Sequence, residues 1–412
     1  MMKRRLFVKA LALALVSASL FGYGAYPLAA DGCPVTVQAK EQQADAKVSM
    51  QSVQAFGYEL LGQYLKEKNP VMSPVSAYVM LGMAAQGAKG TTKKEFQKVL
   101  GSDVLSVSRS LMEMLPQKKD GMQLTLVNSA WMDDEFTPKK DWLETAQKQF
   151  EAEVFEEKLD TNAAKNKINA WVSDNTGGMI PKLLEKKLEK EARLALVNAL
   201  YFQADWQQQF RGEATFEADF KLDDGKMEKA DMMKAVISEC GYFKDGSSEG
   251  VVLPYKDSKF AFVAVKPTGE ESIRDWYASY SAQKLAKLID GRKTQDVDLA
   301  LPKFASRCRM TLNDSLKELG LKKAFDEKKA DFTLLGKSKN EENLYLSFVL
   351  QEAVIKVAEE GTEAAAATIG GIAAATGLFP DRPVVRFDRS FLYMILDTES
   401  GVPLFMGVVD QP

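Results

Sequence analysis

Residues 359–377 read Glu359-Glu360-Gly361-Thr362-Glu363-Ala364-Ala365-Ala366-Ala367-Thr368-Ile369-Gly370-Gly371-Ile372-Ala373-Ala374-Ala375-Thr376-Gly377, and the low-bulk stretch runs on to Pro383. Connections of about 25 residues in compact domains are usually functional or disordered. Gly370-Gly371 argues against carrying a helix through the alanines. In a strand, alternate side chains share a face. Counted from Thr362, one face carries Thr362, Ala364, Ala366, Thr368 and Gly370, all small and uncharged, while Glu363 falls on the other. That is what a strand needs if it must slip between two others, because a charge on the inward face would be buried at a cost of several kcal/mol. Gly361 supplies a backbone that turns without steric cost.

The chain around this stretch is strand-rich. Val251–Tyr255, Phe260–Lys266, Val297–Phe304 and Leu344–Ala358 read as strands. Phe391–Asp397 and Val402–Val409 read as a hairpin across Thr398–Gly401, and Asp223-Asp224-Gly225 as another tight turn. Ser272–Ile289 reads as one helix, with Trp276, Tyr280, Leu285 and Leu288 as its contacts. Further back, Leu124–Met132 and Arg193–Phe202 are strand-like, and between them Thr161–Thr176 is helical, ended by Gly177-Gly178. An earlier helix carries Val53, Phe56, Leu60 and Tyr64 and is stopped by Asn69-Pro70. Ser73-Pro74 opens a second, and Gly90-Thr91-Thr92 a third. There is no regular βαβ rhythm and no internal repeat, which favours one large α+β domain.

Composition removes many functions. The 412 residues are 46% hydrophobic and 27% charged, the balance of a globular protein. There is no His, so Ser-His-Asp and Cys-His catalysis, His-ligated zinc and a His-based pH switch are all excluded. A net charge of −3 gives no basic excess for nucleic acid. No phosphate loop, dinucleotide fingerprint, CxxC pair or calcium loop occurs. Ser281-Ala282-Gln283-Lys284 matches Ser-x-x-Lys, but no Lys-Thr-Gly follows, and a helix face is the better reading. No catalytic residue, metal site or cofactor is assigned.

Residues 1–30 read as a secretory signal peptide. Lys3, Arg4, Arg5 and Lys9 precede the apolar Ala10–Phe21, and Leu28-Ala29-Ala30 offers a cleavage site. Removing the four positive charges takes the net charge to −7. Residues 31–46 are a polar lead-in. Cys33, Cys240 and Cys308 are too few for a disulfide framework. Cys240 and Cys308 read as buried thiols. Ala30-Asp31-Gly32 fits a lipidation box poorly, so a secreted protein is expected, with membrane attachment only if Cys33 is lipidated.

Glu359 to Thr368 resembles the hinge of an inhibitory serpin, and the resemblance spans nearly all of the chain after the leader. Asn69-Pro70-Val71-Met72-Ser73-Pro74-Val75-Ser76 is similar to the family's helix opening. Ile168-Asn169-Ala170-Trp171-Val172 through Thr176-Gly177-Gly178-Met179-Ile180 matches a second signature. Val197-Asn198-Ala199-Leu200-Tyr201-Phe202, followed by Trp206 and Phe210, matches a central strand. Met232-Met233, Leu301-Pro302-Lys303-Phe304 and Pro403-Leu404-Phe405-Met406-Gly407 follow in the family's order.

The resemblance implies a single-domain α+β serpin fold over 47–412. Helices surround a large central mixed sheet and smaller sheets, and 359–383 is an exposed reactive-centre loop. It implies a monomeric, secreted suicide inhibitor whose partner is a protease, held in a covalent 1:1 complex. Counting along the loop from the hinge glycine puts the reactive bond at Ala375–Thr376, to within one or two residues. A small side chain there suits elastase-like or subtilisin-like enzymes, with cysteine proteases as an alternative target. Ser73, Ser76 and Asn198 match the polar cluster where strands must part, with Gln351 where the family commonly has His. Lys303, Glu359 and Trp206 match the top of the sheet. A non-inhibitory carrier or chaperone is the other reading. Such a relative is expected to place bulky, charged or Pro residues on the inward face.

Overall fold

The computed structural model describes residues 50–119, 121–256, 258–340, 342–362 and 382–412. The leader, the lead-in with Cys33, and positions 363–381 with the reactive bond and most of the hinge lie outside them. The described residues all belong to one compact unit.

Strand alternation builds the central sheet. Met122–Met132 and Leu194–Asp205 pair antiparallel along their whole length, from Met122 against Ala204 to Met132 against Leu194. Gln117–Lys119 pairs antiparallel and Glu153–Glu156 parallel with Met122–Met132, which makes the sheet mixed. On the far side, Phe304–Thr311 pairs with Leu350–Val357. In Leu194–Asp205 the buried set changes face midway. Ala195, Val197 and Ala199 pack with Ile168, Trp171 and Val172 of the helix Asn162–Asn175. Leu200, Phe202 and Ala204 join the main core. The lower sheet is therefore covered on the face where that helix lies.

Beneath the sheet runs the helix Pro74–Ala85, whose residues are all buried. It carries no charge, as a helix enclosed on every side requires. Ser73 caps it by accepting from Ser76 N. A second sheet runs in the order 71–72, 403–409, 391–397, 260–267, 248–254, 227–244, 293–302 and 384–386, with 216–221 also paired to 227–244. Its C-terminal hairpin is wholly buried. Helices Val104–Met114 and Lys140–Gln149 were not read from the sequence.

Several expected elements differ. The first helix ends at 62, before Asn69-Pro70, in a run of turns. Val297–Phe304 is two strands in two sheets, Lys293–Pro302 and Phe304–Thr311, which part at Lys303. Ser272–Ile289 is two helices, Ile273–Ser279 and Ala282–Asp290, because Tyr280 is extended. Ser281 caps the second by accepting from Lys284 N, so the Ser-x-x-Lys spacing is a helix start. Leu344–Ala358 forms a ladder only over Leu350–Val357. Cys240 is buried, but Cys308 is only half-buried.

Candidate functional site

The two inner strands of the central sheet, Leu194–Asp205 and Leu350–Val357, do not pair with each other in the described residues. Among the described residues, ladder pairing reaches both of them only at the hinge. Gly361 pairs with Asp205 and Thr362 with Ala204, while Thr362 also pairs with Val357. Two residues of the hinge thus already form a short middle strand. Gly361 is required by proximity, not by a left-handed turn: a Cβ there would sit 2.1 Å from Ala204 O. Thr362 faces inward as expected, 1% exposed, with Oγ1 2.5 Å from the Tyr255 hydroxyl. The Tyr255 phenol is itself fully buried, and burial raises its pKa far above normal.

Trp206 closes the top of this opening. Its ring stacks on Tyr255, with centroids 4.7 Å apart. Its indole donates to Ala358 O at 2.9 Å, and Trp206 N donates to Glu360 O. Glu359 is drawn in from two sides: Lys303 Nζ lies 2.9 Å from Oε2, and Thr215 Oγ1 donates to Oε1 at 2.8 Å. Burial pushes the Glu359 carboxyl up, but bonds from Lys303, the backbone and Thr215 outweigh it and hold it below its ordinary value.

Midway down, Ser73, Ser76, Asn198 and Gln351 meet as expected. Gln351 donates Nε2 to Ser73 O at 2.8 Å and accepts from Ser73 N at 3.2 Å. Ser76 Oγ donates to Asn198 Oδ1. Asn198 Nδ2 then donates to Asn128, and Asn128 to Phe150 O. The start of one helix therefore fastens both inner strands, through a different serine each. A cavity of about 20 Å³ lined by all four residues lies there, room for roughly one water. Gln supplies a donor and an acceptor at once, which is all this position asks of it.

Below, a cavity of about 510 Å³ is bordered by 194–198 on one side and 342–350 on the other. The backbone of the second side bonds away from the cavity: Leu346 N reaches Ala324 O and Val349 O accepts from Leu312 N. This is why that segment lacks a ladder.

A family model described as "Serpin (serine protease inhibitor)" matches residues 51–412. The chain belongs to the serpin family. Human neuroserpin is 30% identical over 388 residues, covering 90% of this chain and 92% of its own. The native state of tengpin, a thermophilic serpin, has 32% identity and a TM-score of 0.82, with 88% of this chain and 94% of that one covered. Human thyroxine-binding globulin complexed with thyroxine has 27% identity and a TM-score of 0.77, with 89% and 99% covered.

In this serpin, Ser73, Ser76, Asn198 and Gln351 lie together, and Lys303 pairs with Glu359 near Trp206, at the positions matched through the resemblance, while hinge positions 363–368 lie outside the described residues. Sequence reasoning missed Tyr255, Thr215 and Asn128. Thr215 lies 144 positions from Glu359, and no local pattern marks it.

Proposed function

We propose that this serpin is a secreted suicide inhibitor of serine proteases that accept a small residue at the cut site. The observation that carries the reading is Thr362, buried on Tyr255 and paired on both sides between strands that do not otherwise pair among the described residues. Insertion of the loop as an added strand is an established switching mode of serpins.

The steps follow from that start. The protease serine attacks the Ala375 carbonyl, the Ala375–Thr376 bond breaks, and Thr376 leaves as a new amino terminus. Ala375 remains as an ester on the enzyme. The freed strand then continues the register already set at Thr362. Antiparallel pairing lowers one number as the other rises, so position 368 falls opposite both Asn198 and Gln351. Thr368 thereby brings a small hydroxyl to the cavity between them. The protease is dragged along the sheet and its active site distorted before water can hydrolyse the ester.

Thyroxine-binding globulin raises the carrier reading. The small inward face from Thr362 to Gly370 opposes it. The test is incubation with elastase-like, subtilisin-like, trypsin-like and papain-like enzymes. An SDS-stable complex and a released peptide beginning at or within two residues of Thr376 support the proposal. Cleavage without any complex, across the panel, overturns it. Residues 1–30 support secretion, and the amino terminus of the exported chain tests that directly.

A further inference from the structure

The foot of the opening holds an arrangement that the reading above leaves unused. Arg193 sits immediately before the strand Leu194–Asp205 and is only 9% exposed. Its guanidinium is used on every nitrogen. Nη1 donates to Lys190 O at 2.8 Å, and Nε reaches Ser338 Oγ at 3.4 Å. Nη2 lies 2.6 Å from Glu342 Oε2 and 3.1 Å from Glu135 Oε2.

The two carboxylates differ in where they stand. Glu135 follows Met122–Met132, the neighbour of Leu194–Asp205 on the side away from the opening. Glu342 begins the segment that rises to Leu350–Val357, across the opening. Arg193 and Glu342 both line the large lower cavity. The Arg193–Glu342 bond therefore spans the foot of the gap, and the Arg193–Glu135 bond does not.

The register set at the hinge gives the level of this bond. Continued down Leu194–Asp205, position 373 of an inserted strand falls opposite Arg193, the residue just before that strand. Ala375, the proposed cut residue and the end of the inserted strand, lies two positions further on, so the leading end reaches the level of the Arg193–Glu342 bond.

We propose that the Arg193–Glu342 ion pair is a latch that the leading end of the cut loop must open to complete its insertion, so that Arg193 is a positioning residue for the inhibitory reaction. The inference rests on the suicide-inhibitor reading. Insertion above the latch meets the uncharged cavity walls of 194–198 and 346–350. The last residues meet a charge pair with one partner buried. The time spent there decides how many acyl-enzymes hydrolyse before the protease is trapped.

Arg193 itself is a poor probe, because its loss strips Ser338 and two carboxylates of a buried partner. Glu342→Ala is the better one. It cuts the crossing bond and leaves Arg193 paired with Glu135. Glu135→Ala removes a carboxylate from the same guanidinium without touching the crossing, and serves as the control. Two readouts are needed: the fraction of protease trapped per inhibitor cleaved, and the rate at which a synthetic peptide of sequence 362–375 anneals to the uncut protein.

The latch predicts that Glu342→Ala raises the trapped fraction and speeds annealing by about fivefold, the size a half-exposed ion pair supports. Glu135→Ala should match the parent in both. High salt should speed annealing in the parent more than in Glu342→Ala, because it screens the pair. Identical rates in Glu342→Ala and parent overturn the latch. Equal acceleration in both variants also overturns it, since the effect is then general loosening. If the parent traps no protease but peptide annealing still accelerates only in Glu342→Ala, the latch stands and the inhibitor reading falls.

Discussion

Thr362 Oγ1 and the Tyr255 hydroxyl lie 2.5 Å apart in the core, where a two-residue strand pairs with both inner strands of the central sheet. The contact fixes the phase of everything that follows Thr362, since side chains alternate from a defined starting face. Thr362→Arg should therefore convert the inhibitor into a plain substrate. The Arg must be buried beside the Tyr255 phenol, or the strand stalls. Gel electrophoresis after mixing with a cognate protease should show the cleaved chain and no stable complex. Complex yields equal to the parent's would remove Thr362 from the insertion path.

Between Gly361 and Leu378 there is no Lys or Arg. Trypsin should neither cut this stretch nor be trapped by the parent. Ala375→Arg should redirect the bait, because the trypsin pocket carries an Asp for a basic side chain. Intact-mass analysis should then show cleavage after position 375 with trypsin. Cleavage elsewhere would mean that the reactive bond is misassigned.

At the top of the opening, Glu359 is held by Lys303 and Thr215. The Glu359 carboxyl is depressed below its ordinary 4.5, with burial opposed by the bonds from Lys303, the backbone and Thr215. A depressed acid contributes stability that is fully present above its unfolded pKa and lost as pH falls through the folded value. The intact protein should therefore melt at a constant temperature from about pH 5.5 to 8 and weaken only on further acidification. Gln351→His should introduce the missing dependence, lowering the midpoint as the buried ring is forced to charge near pH 6. A midpoint in Gln351→His that stays flat with pH would show that position 351 does not govern the parting of the strands.

Much of this site is legible only through the family resemblance, which matches Ser73, Ser76, Asn198, Gln351, Trp206, Lys303 and Glu359 by motif, although a few of them also carry a local mark. Ser73 stands before a proline at a helix start, and Trp206 follows a long apolar strand. Glu359 and Gly361 adjoin the low-bulk loop. Tyr255 could not be found this way, since its meaning comes from a partner 107 positions on. Two strand boundaries failed for a related reason. Apolar runs report burial but not the ladder that buries them, so Val297–Phe304 hid a change of sheet at Lys303. Leu344–Ala358 likewise hid the stretch facing the open cavity. Helical spacing carried on through Tyr280, where only the Ser281 cap marks a new start. The latch at Arg193 is invisible in sequence, since Glu135 and Glu342 flank it from distant segments.

If the cut loop takes a place in the sheet, the uncut protein is metastable behind a kinetic barrier. Residues 362–375 as a strand would reach about 46 Å at ~3.3 Å per residue. Such a strand would pair on both edges, with Leu194–Asp205 and Leu350–Val357, and would bury its small side chains, starting from Thr362, which is already fixed between them. The direct measurement is a thermal melt before and after limited proteolysis within the loop. The account predicts that the cut protein melts tens of degrees higher than the intact one. A cut form that melts at the same temperature or lower would contradict it.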